Sequence, residues 1–353
     1  MKPIKFSLII LSLNEVNYIS NCLESINQFD PIEGDNEIIV VDGLSTDGTR
    51  EIIQSWMKKY PNIKLIDNPQ KITPVAMNLG IKQSAGEYIY FLNSHTVYPK
   101  NLLTETLDTF NKVECDNVGG ISLTLSKGNS LSNKIVQAIT THRFGIGNSE
   151  SYVGQKEGFV DTVHGCYKAS VFSRIGLHDE RLVRNQDYEI NRRLIKTGGK
   201  IWQNPKIIYT YYNRASISSL LIKSYKNGLW IPWMWFLAPY SFSYRHAIPL
   251  IFVLALIGCL TIMFFSEMGF ILLTGIIVPY FTLAFLAAFQ QSKKYGIVTG
   301  LFLPIFFFLF HLLYGIGSIA GIIQLVFRNA PIFSKSEPWP GTGQFRAWPL
   351  NQQ

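Results

Sequence analysis

The sequence predicts an α/β domain built on a mostly parallel sheet, followed by C-terminal transmembrane helices. Three observations point there. Residues 6–11, 37–41, 63–66 and 88–92 are short, nearly unbroken apolar runs, and stretches of helical spacing separate them. Strands buried on both faces that alternate with helices form a parallel sheet covered on each side. Charge is the second observation: between Ala247 and Gln291 the sole charged residue is Glu267, and residues 295–327 carry none. The third is that three of the apolar runs end in polar residues: Asn14-Glu15, Asp42 to Thr49, and Asn93-Ser94-His95. Open α/β sheets bind ligands at such carboxyl ends of strands.

The elements follow in order. After the first strand, Ile19, Leu23 and Ile26 give a helix, and the second strand ends at Asp42. Ile52, Ile53 and Trp56 mark the next helix, 63–66 the third strand, and 73–83 a helix containing Asn78. The run at 88–92 then delivers Asn93, Ser94 and His95. A helix is expected over 102–110 and a strand over 118–125. Residues 126–158, rich in Gly, Ser, Asn and Thr, read as a mobile loop. A short helix follows near 171–175, then an amphipathic helix with Asp187 in its first turn. A carboxylate at a helix N-terminus is favoured in its charged form, which is what a general base requires.

From Trp230 the character changes. Trp230, Trp233, Trp235, Phe236 and Tyr240 crowd together with two prolines, as in a segment lying at headgroup level. Residues 247–265 and 269–289 each suffice to cross a bilayer and read as a hairpin. Residues 297–327 exceed one span and read as one crossing plus an interfacial stretch. His311 within them reads equally as a packing residue or a functional one. Lys293 and Lys294, with Arg245 and His246, place the soluble domain on the cytoplasmic side. The expected domains are 1–229 catalytic, 230–246 interfacial, 247–327 transmembrane and 328–353 a C-terminal tail.

The net charge of +8 suggests an anionic partner. No G-x-G-x-x-G follows the first strand and no P-loop string occurs, so NAD and P-loop chemistries are excluded. Basic pairs such as Arg192-Arg193 read as solvated faces, and nothing else suggests nucleic acid. Four widely spaced cysteines match no zinc or disulfide pattern and suit a reducing compartment. The first residues lack a cleavage site, so the N-terminus is expected to stay in the cytoplasm. His142 and His178 read as residues of solvated loops.

Ser7-Leu8-Ile9-Ile10 with Asn14-Glu15, then Val40-Val41-Asp42-Gly43-x-Ser45-Thr46-Asp47-Gly48-Thr49, resembles the start of a family 2 glycosyltransferase of GT-A fold. The resemblance runs on through Asn78, Gly86-Glu87-Tyr88-Ile89 and the Asn93 triplet to Asn185-Gln186-Asp187-Tyr188-Glu189. With the apolar tail, it is most similar to membrane-anchored enzymes of succinoglycan and exopolysaccharide assembly. It implies a nucleotide-sugar donor of UDP or GDP type, and nucleotide-sugar contacts by Asn14, Glu15, Asp42, Asn78, Asn93 and Ser94. The triplet occupies the place of the family's Asp-x-Asp motif, which makes His95 the implied ligand of Mg²⁺ or Mn²⁺. Asp187 matches the catalytic base, while His164, Gln186 and Glu189 are expected at the acceptor side or the wall of the site.

The expectation is an inverting transfer from the nucleotide sugar to a polyprenyl-linked or polysaccharide acceptor, at the cytoplasmic face of a bacterial-type cell membrane. Two rivals stand beside it. One is a catalytically silent anchor that binds nucleotide or glycan; the other is a processive synthase. The latter is disfavoured by the absence of a Q-x-x-R-W helix.

Overall fold

The computed structural model describes residues 3–126, 128–147, 156–213 and 216–333. In chain order the elements begin β1 (Ile4–Ser12), α1 (Ile19–Asn27), β2 (Asp35–Asp42), α2 (Thr49–Lys59), β3 (Ile63–Asp67) and α3 (Thr73–Gln83). Next come β4 (Tyr88–Asn93), β5 (Thr96–Val97), α4 (Leu102–Lys112), β6 (Asn117–Ser126), α5 (Leu131–Thr140), α6 (Arg143–Ile146), β7 (Gly158–Phe159) and β8 (Gly165–Lys168). Then follow α7 (Ser170–Ile175), α8 (Gln186–Lys196), β9 (Ile201–Asn213), α9 (Ile217–Leu237), α10 (Tyr244–Met263), α11 (Met268–Tyr295) and α12 (Ile297–Val326). The described chain divides into two units.

The first unit gathers the residues through 123 with those from 156 to 212. Its sheet runs β3-β2-β1-β4-β8-β6-β9-β5, with β7 on β9. As the alternating pattern predicts, β3, β2, β1 and β4 are parallel; β8 is antiparallel to β4 and to β6. Two apolar layers cover it. Leu8, Ile10, Val40, Tyr90 and Leu92 face α1, α2 and α4 through Leu23, Ile53 and Leu103. Their neighbours Ile9, Ile39, Val41, Ile89 and Phe91 face α3, α7 and α8 through Met77, Phe172, Ile190 and Leu194. The strands are apolar throughout because both faces are buried. Gly80 of α3 lies so close to β1 that an added Cβ would stand 2.5 Å from Ile9 Cγ2, so only glycine allows this packing.

Register positions the site. Ser12 pairs with Asp42 and Leu11 with both Val41 and Asn93, so three polar strand ends finish side by side. All four cysteines are free thiols and buried.

The second unit holds the residues from 124 to 147 and from 213 to 333. Part of the expected mobile loop is α5, an amphipathic helix capped by Ser130 and burying Ile135, Val136, Ala138 and Ile139, followed by α6. These helices group with the apolar C-terminal helices in the second unit. The rest of that loop, 148–155, and the tail from 334 lie outside the described residues. Residues 230–237 of the Trp-rich stretch are the C-terminal half of α9, which runs through Pro232, and Tyr240 lies in a short 3-10 turn, Pro239–Ser241, after it. α9 seats on α12 through small residues. A Cβ on Gly228 would stand 1.9 Å from Tyr314 O, and the Ser224 hydroxyl donates to Phe310 O at 2.6 Å. Such close backbone approach is how helices associate where water supplies no apolar driving force.

Three helices, α10, α11 and α12, are long and apolar enough to cross a membrane. The stretch expected as a crossing plus an interfacial piece is one continuous 30-residue helix, α12, with Pro304 inside it. His311 is a satisfied packing residue: Tyr280 Oη lies 2.8 Å from Nδ1, and Gly145 O lies 3.3 Å from Nε2. His142 is not solvated loop either. Its Nδ1 accepts from the Phe144 amide at 3.1 Å, and its Nε2 lies 2.9 Å from Gln290 Oε1.

Candidate active site

The turn after β2 is built by Asp42. Its Oδ1 accepts from the Ser45 hydroxyl at 2.6 Å, and its Oδ2 from the Ser45 amide at 2.8 Å and from Arg50 at 3.0 Å. Arg50 reaches on to Asp67 at the end of β3 at 2.8 Å. Asp42 is fully buried with both oxygens accepting hydrogen bonds, and so shapes the turn. The turn in turn holds the end of β1. Asn14 takes a left-handed φ of 54°, donates its amide to Ser45 Oγ at 2.8 Å, and accepts from the Thr46 amide at 3.0 Å. The amide of Glu15 donates to Thr49 Oγ1 at 2.8 Å. Asn14 is exposed and Glu15 partly so.

Beside them, the end of β4 brings His95 Nδ1 to 3.4 Å from Glu15 Oε1. Among the described residues no three His, Cys, Asp or Glu side chains converge to hold a metal. The pair nevertheless suits a divalent cation that takes its remaining ligands from phosphate oxygens and water. Of the triplet, Asn93 is partly exposed and Ser94 is buried at the floor.

The opposite wall is α8. Asn185 opens it in the left-handed conformation, φ 61°, with its Nδ2 buried and, among the described residues, without a hydrogen-bond partner. Backbone strain of this kind concentrates at working sites. Asp187 follows in the first turn with its side chain exposed, Oδ1 accepting only from the adjacent Tyr188 amide among the hydrogen bonds described. His164 stands between the walls. Gly165 after it lies so near β6 that a Cβ would meet Val118 O at 2.1 Å. Burial holds the pKa of His164 below the ordinary histidine value; the Asp187 carboxylate opposes this, and His95 adds to it.

Two expected site residues serve the fold. Glu189 is 1% exposed and grips Arg193, itself 0% exposed, through Oε1 at 2.8 Å and through Oε2. Arg193 also donates to Ile175 O at 3.0 Å and Leu177 O at 2.7 Å. Glu189 therefore faces the core, since a helical residue two positions beyond Asp187 points to the other side. Asn78 is likewise engaged: its Oδ1 accepts from the His178 amide at 2.9 Å, while its Nδ2 donates to His178 O at 2.9 Å and to Glu180 Oε1 at 3.0 Å. It staples the loop before α8 to α3. Gln186, the first residue of α8, is partly exposed beside Asp187.

That loop buries His178, expected in solvent, edge-on to Phe91 with centroids 5.5 Å apart. Burial, aided by the Arg193 charge, pushes its pKa down to about 3. The folded state keeps this ring neutral where an unfolded chain takes up a proton from an ordinary value of about 6.5 downwards. Its contribution to stability is complete above that value and is lost as pH falls toward 3. His178→Phe is expected to flatten the fall in thermal midpoint between pH 7 and pH 4. An unchanged slope would assign the acid sensitivity elsewhere.

Residues 7–176 match the domain described as Glycosyl transferase family 2. The chain is 29% identical over 336 residues to a dolichyl N-acetyl-α-D-glucosaminyl phosphate 3-β-D-2,3-diacetamido-2,3-dideoxy-β-D-glucuronosyltransferase of Methanococcus voltae, covering 90% of this chain and 97% of that one. It is 26% identical over 225 residues to the succinoglycan biosynthesis protein ExoA of Rhizobium meliloti, covering 63% and 67%. Among solved structures, a mannosyltransferase from Pyrobaculum calidifontis in complex with GDP-Man and Mn²⁺ shares the fold at a TM-score of 0.53 and 14% identity, covering 92% of this chain and 87% of that one. The strand-end architecture is that of the GT-A fold, and residues 7–176 carry a domain of glycosyl transferase family 2.

Proposed function

We propose that this enzyme transfers a sugar, with inversion, from a nucleotide-diphosphate donor to a hydroxyl of a polyprenyl-linked or polysaccharide acceptor at the cytoplasmic face of a membrane. The reading is supported by the strand-end pair His95–Glu15, 3.4 Å apart, and by the exposed Asp187 carboxylate in the first turn of α8. A sugar held between those two walls has the leaving diphosphate on one side and a base on the other. Asn14, with the turn built by Asp42, and Asn93 take the nucleoside side. Glu15 and His95 would hold a divalent cation, Mg²⁺ or Mn²⁺, whose charge would offset that of the leaving diphosphate. Asp187 takes the proton of the acceptor hydroxyl, whose oxygen forms the new bond to the anomeric carbon as the carbon–oxygen bond to the diphosphate breaks. A single displacement inverts the configuration.

The dolichyl-linked substrate in the printed name of the Methanococcus enzyme supports a lipid-linked acceptor, and the three apolar helices support a membrane setting. Lys293 and Lys294 in the last turn of α11 favour the cytoplasmic side for that end. Magnetic resonance of the product from a donor of known configuration is expected to show the opposite anomer, and a chelator is expected to abolish transfer until Mn²⁺ is restored. A retained anomer would overturn the single displacement; full rate in chelator would remove the metal.

A further inference from the structure

We infer that Asn191 is a positioning residue that sets the distance between the base Asp187 and the wall residue His164, an inference that rests on the proposed role of Asp187. Asn191 is fully buried one turn after Asp187, on the inner side of α8. Its Nδ2 donates to Asp187 O at 2.9 Å, to Val163 O at 2.9 Å and to Thr162 Oγ1 at 3.1 Å. Its Oδ1 accepts from Asn117 Nδ2 and from Tyr167 Oη, each at 2.9 Å. Two hydrogens and two lone-pair directions are thus shared among five partners, which saturates the amide.

The partners matter more than their number. One is the carbonyl of the base itself; two are the residues immediately before His164; the others belong to β6 and β8, the strands that support that segment. A single amide therefore ties the helix carrying Asp187 to the segment carrying His164, just before β8. Ordinary packing of α8 needs no such group, because Ile190 and Leu194 already bury its apolar side against the sheet. A buried, fully satisfied polar network holds one geometry where an apolar contact would allow sliding. A misplacement of about 1 Å at a reacting group can cost on the order of 100-fold in rate.

Asn191→Ala is expected to lower kcat by about 100-fold per nucleotide-binding site. KM for the nucleotide sugar should stay within about threefold, since the residues on the nucleoside side sit on other elements. Because the Asp187–His164 spacing changes, the acid limb of the kcat profile should move as well. Asn191→Ala protein that shows a wild-type kcat per binding site and a wild-type pH profile would overturn the inference. Should that variant not fold, Thr162→Val removes one acceptor without changing size. It should cost roughly fivefold in kcat, the worth of one hydrogen bond, and Thr162→Ser should restore the rate. Equal rates for Val and Ser at 162 would overturn the inference too. Asp187→Asn run in parallel separates the two claims: if that variant stays active the base assignment fails, whatever Asn191 does.

Discussion

Asp187→Asn is expected to lower the transfer rate by roughly 100- to 10,000-fold, the range that a positioned general base contributes, while nucleotide binding stays intact. The substitution is close to isosteric. Asn can keep the bond from the Tyr188 amide, now made at 2.9 Å to Oδ1, so the start of α8 need not shift. The lost function is proton acceptance from the acceptor hydroxyl. The proposed nucleoside side comprises Asn14, the Asp42 turn and the end of β4, and no hydrogen bond among the described residues joins them to Asp187. A binding titration and a rate measurement on the same preparation check the split. A rate within tenfold of wild type would remove Asp187 from the chemistry.

Glu189→Gln is expected to destabilise the enzyme by about 3–5 kcal/mol, the cost of leaving a buried charge without its partner. Arg193 is 0% exposed and could not regain water without opening the packing around it. Its bonds to Ile175 O and Leu177 O would remain, but the Glu189 carboxylate would no longer offset its charge. The same rule predicts that replacing both residues, Glu189→Met with Arg193→Met, costs less than the single change, because no charge is then left stranded. Thermal midpoints of the two variants against wild type provide the test. An equal or greater loss in the double variant would show that the pair contributes net stability instead of satisfying itself.

These two neighbouring carboxylates show what was legible in the sequence. The helix, its start and the exposure of Asp187 follow from apolar spacing and the acidic first turn. The inward course of Glu189 does not, because its partner Arg193 shares the buried side and completes its bonds on Ile175 and Leu177, residues of a different segment. Asn191 escaped notice for a similar reason. An Asn within a helix carries no local signature, and its importance lies in Thr162, Val163, Asn117 and Tyr167, all distant in sequence. The strand ends were plain because each apolar run stops abruptly at polar residues. The inward course of Asp42 was not, since a carboxylate that builds a turn and one that meets a ribose look alike in sequence. In the second unit, α5 did carry a helical signal in Ile135, Val136 and Ile139 behind Ser130, masked by the Gly- and Ser-rich stretches on either side.

The central claim, a metal-assisted transfer from a nucleotide sugar to a lipid-linked or polysaccharide acceptor, is tested most directly by nucleotide release. Detergent-purified enzyme would be offered a panel of sugar nucleotides with membrane lipid extract, in Mn²⁺ and in chelator. The account predicts release from one donor that requires both the metal and the extract and is lost in Asp187→Asn. Saturable nucleotide binding with no release from any donor would contradict it.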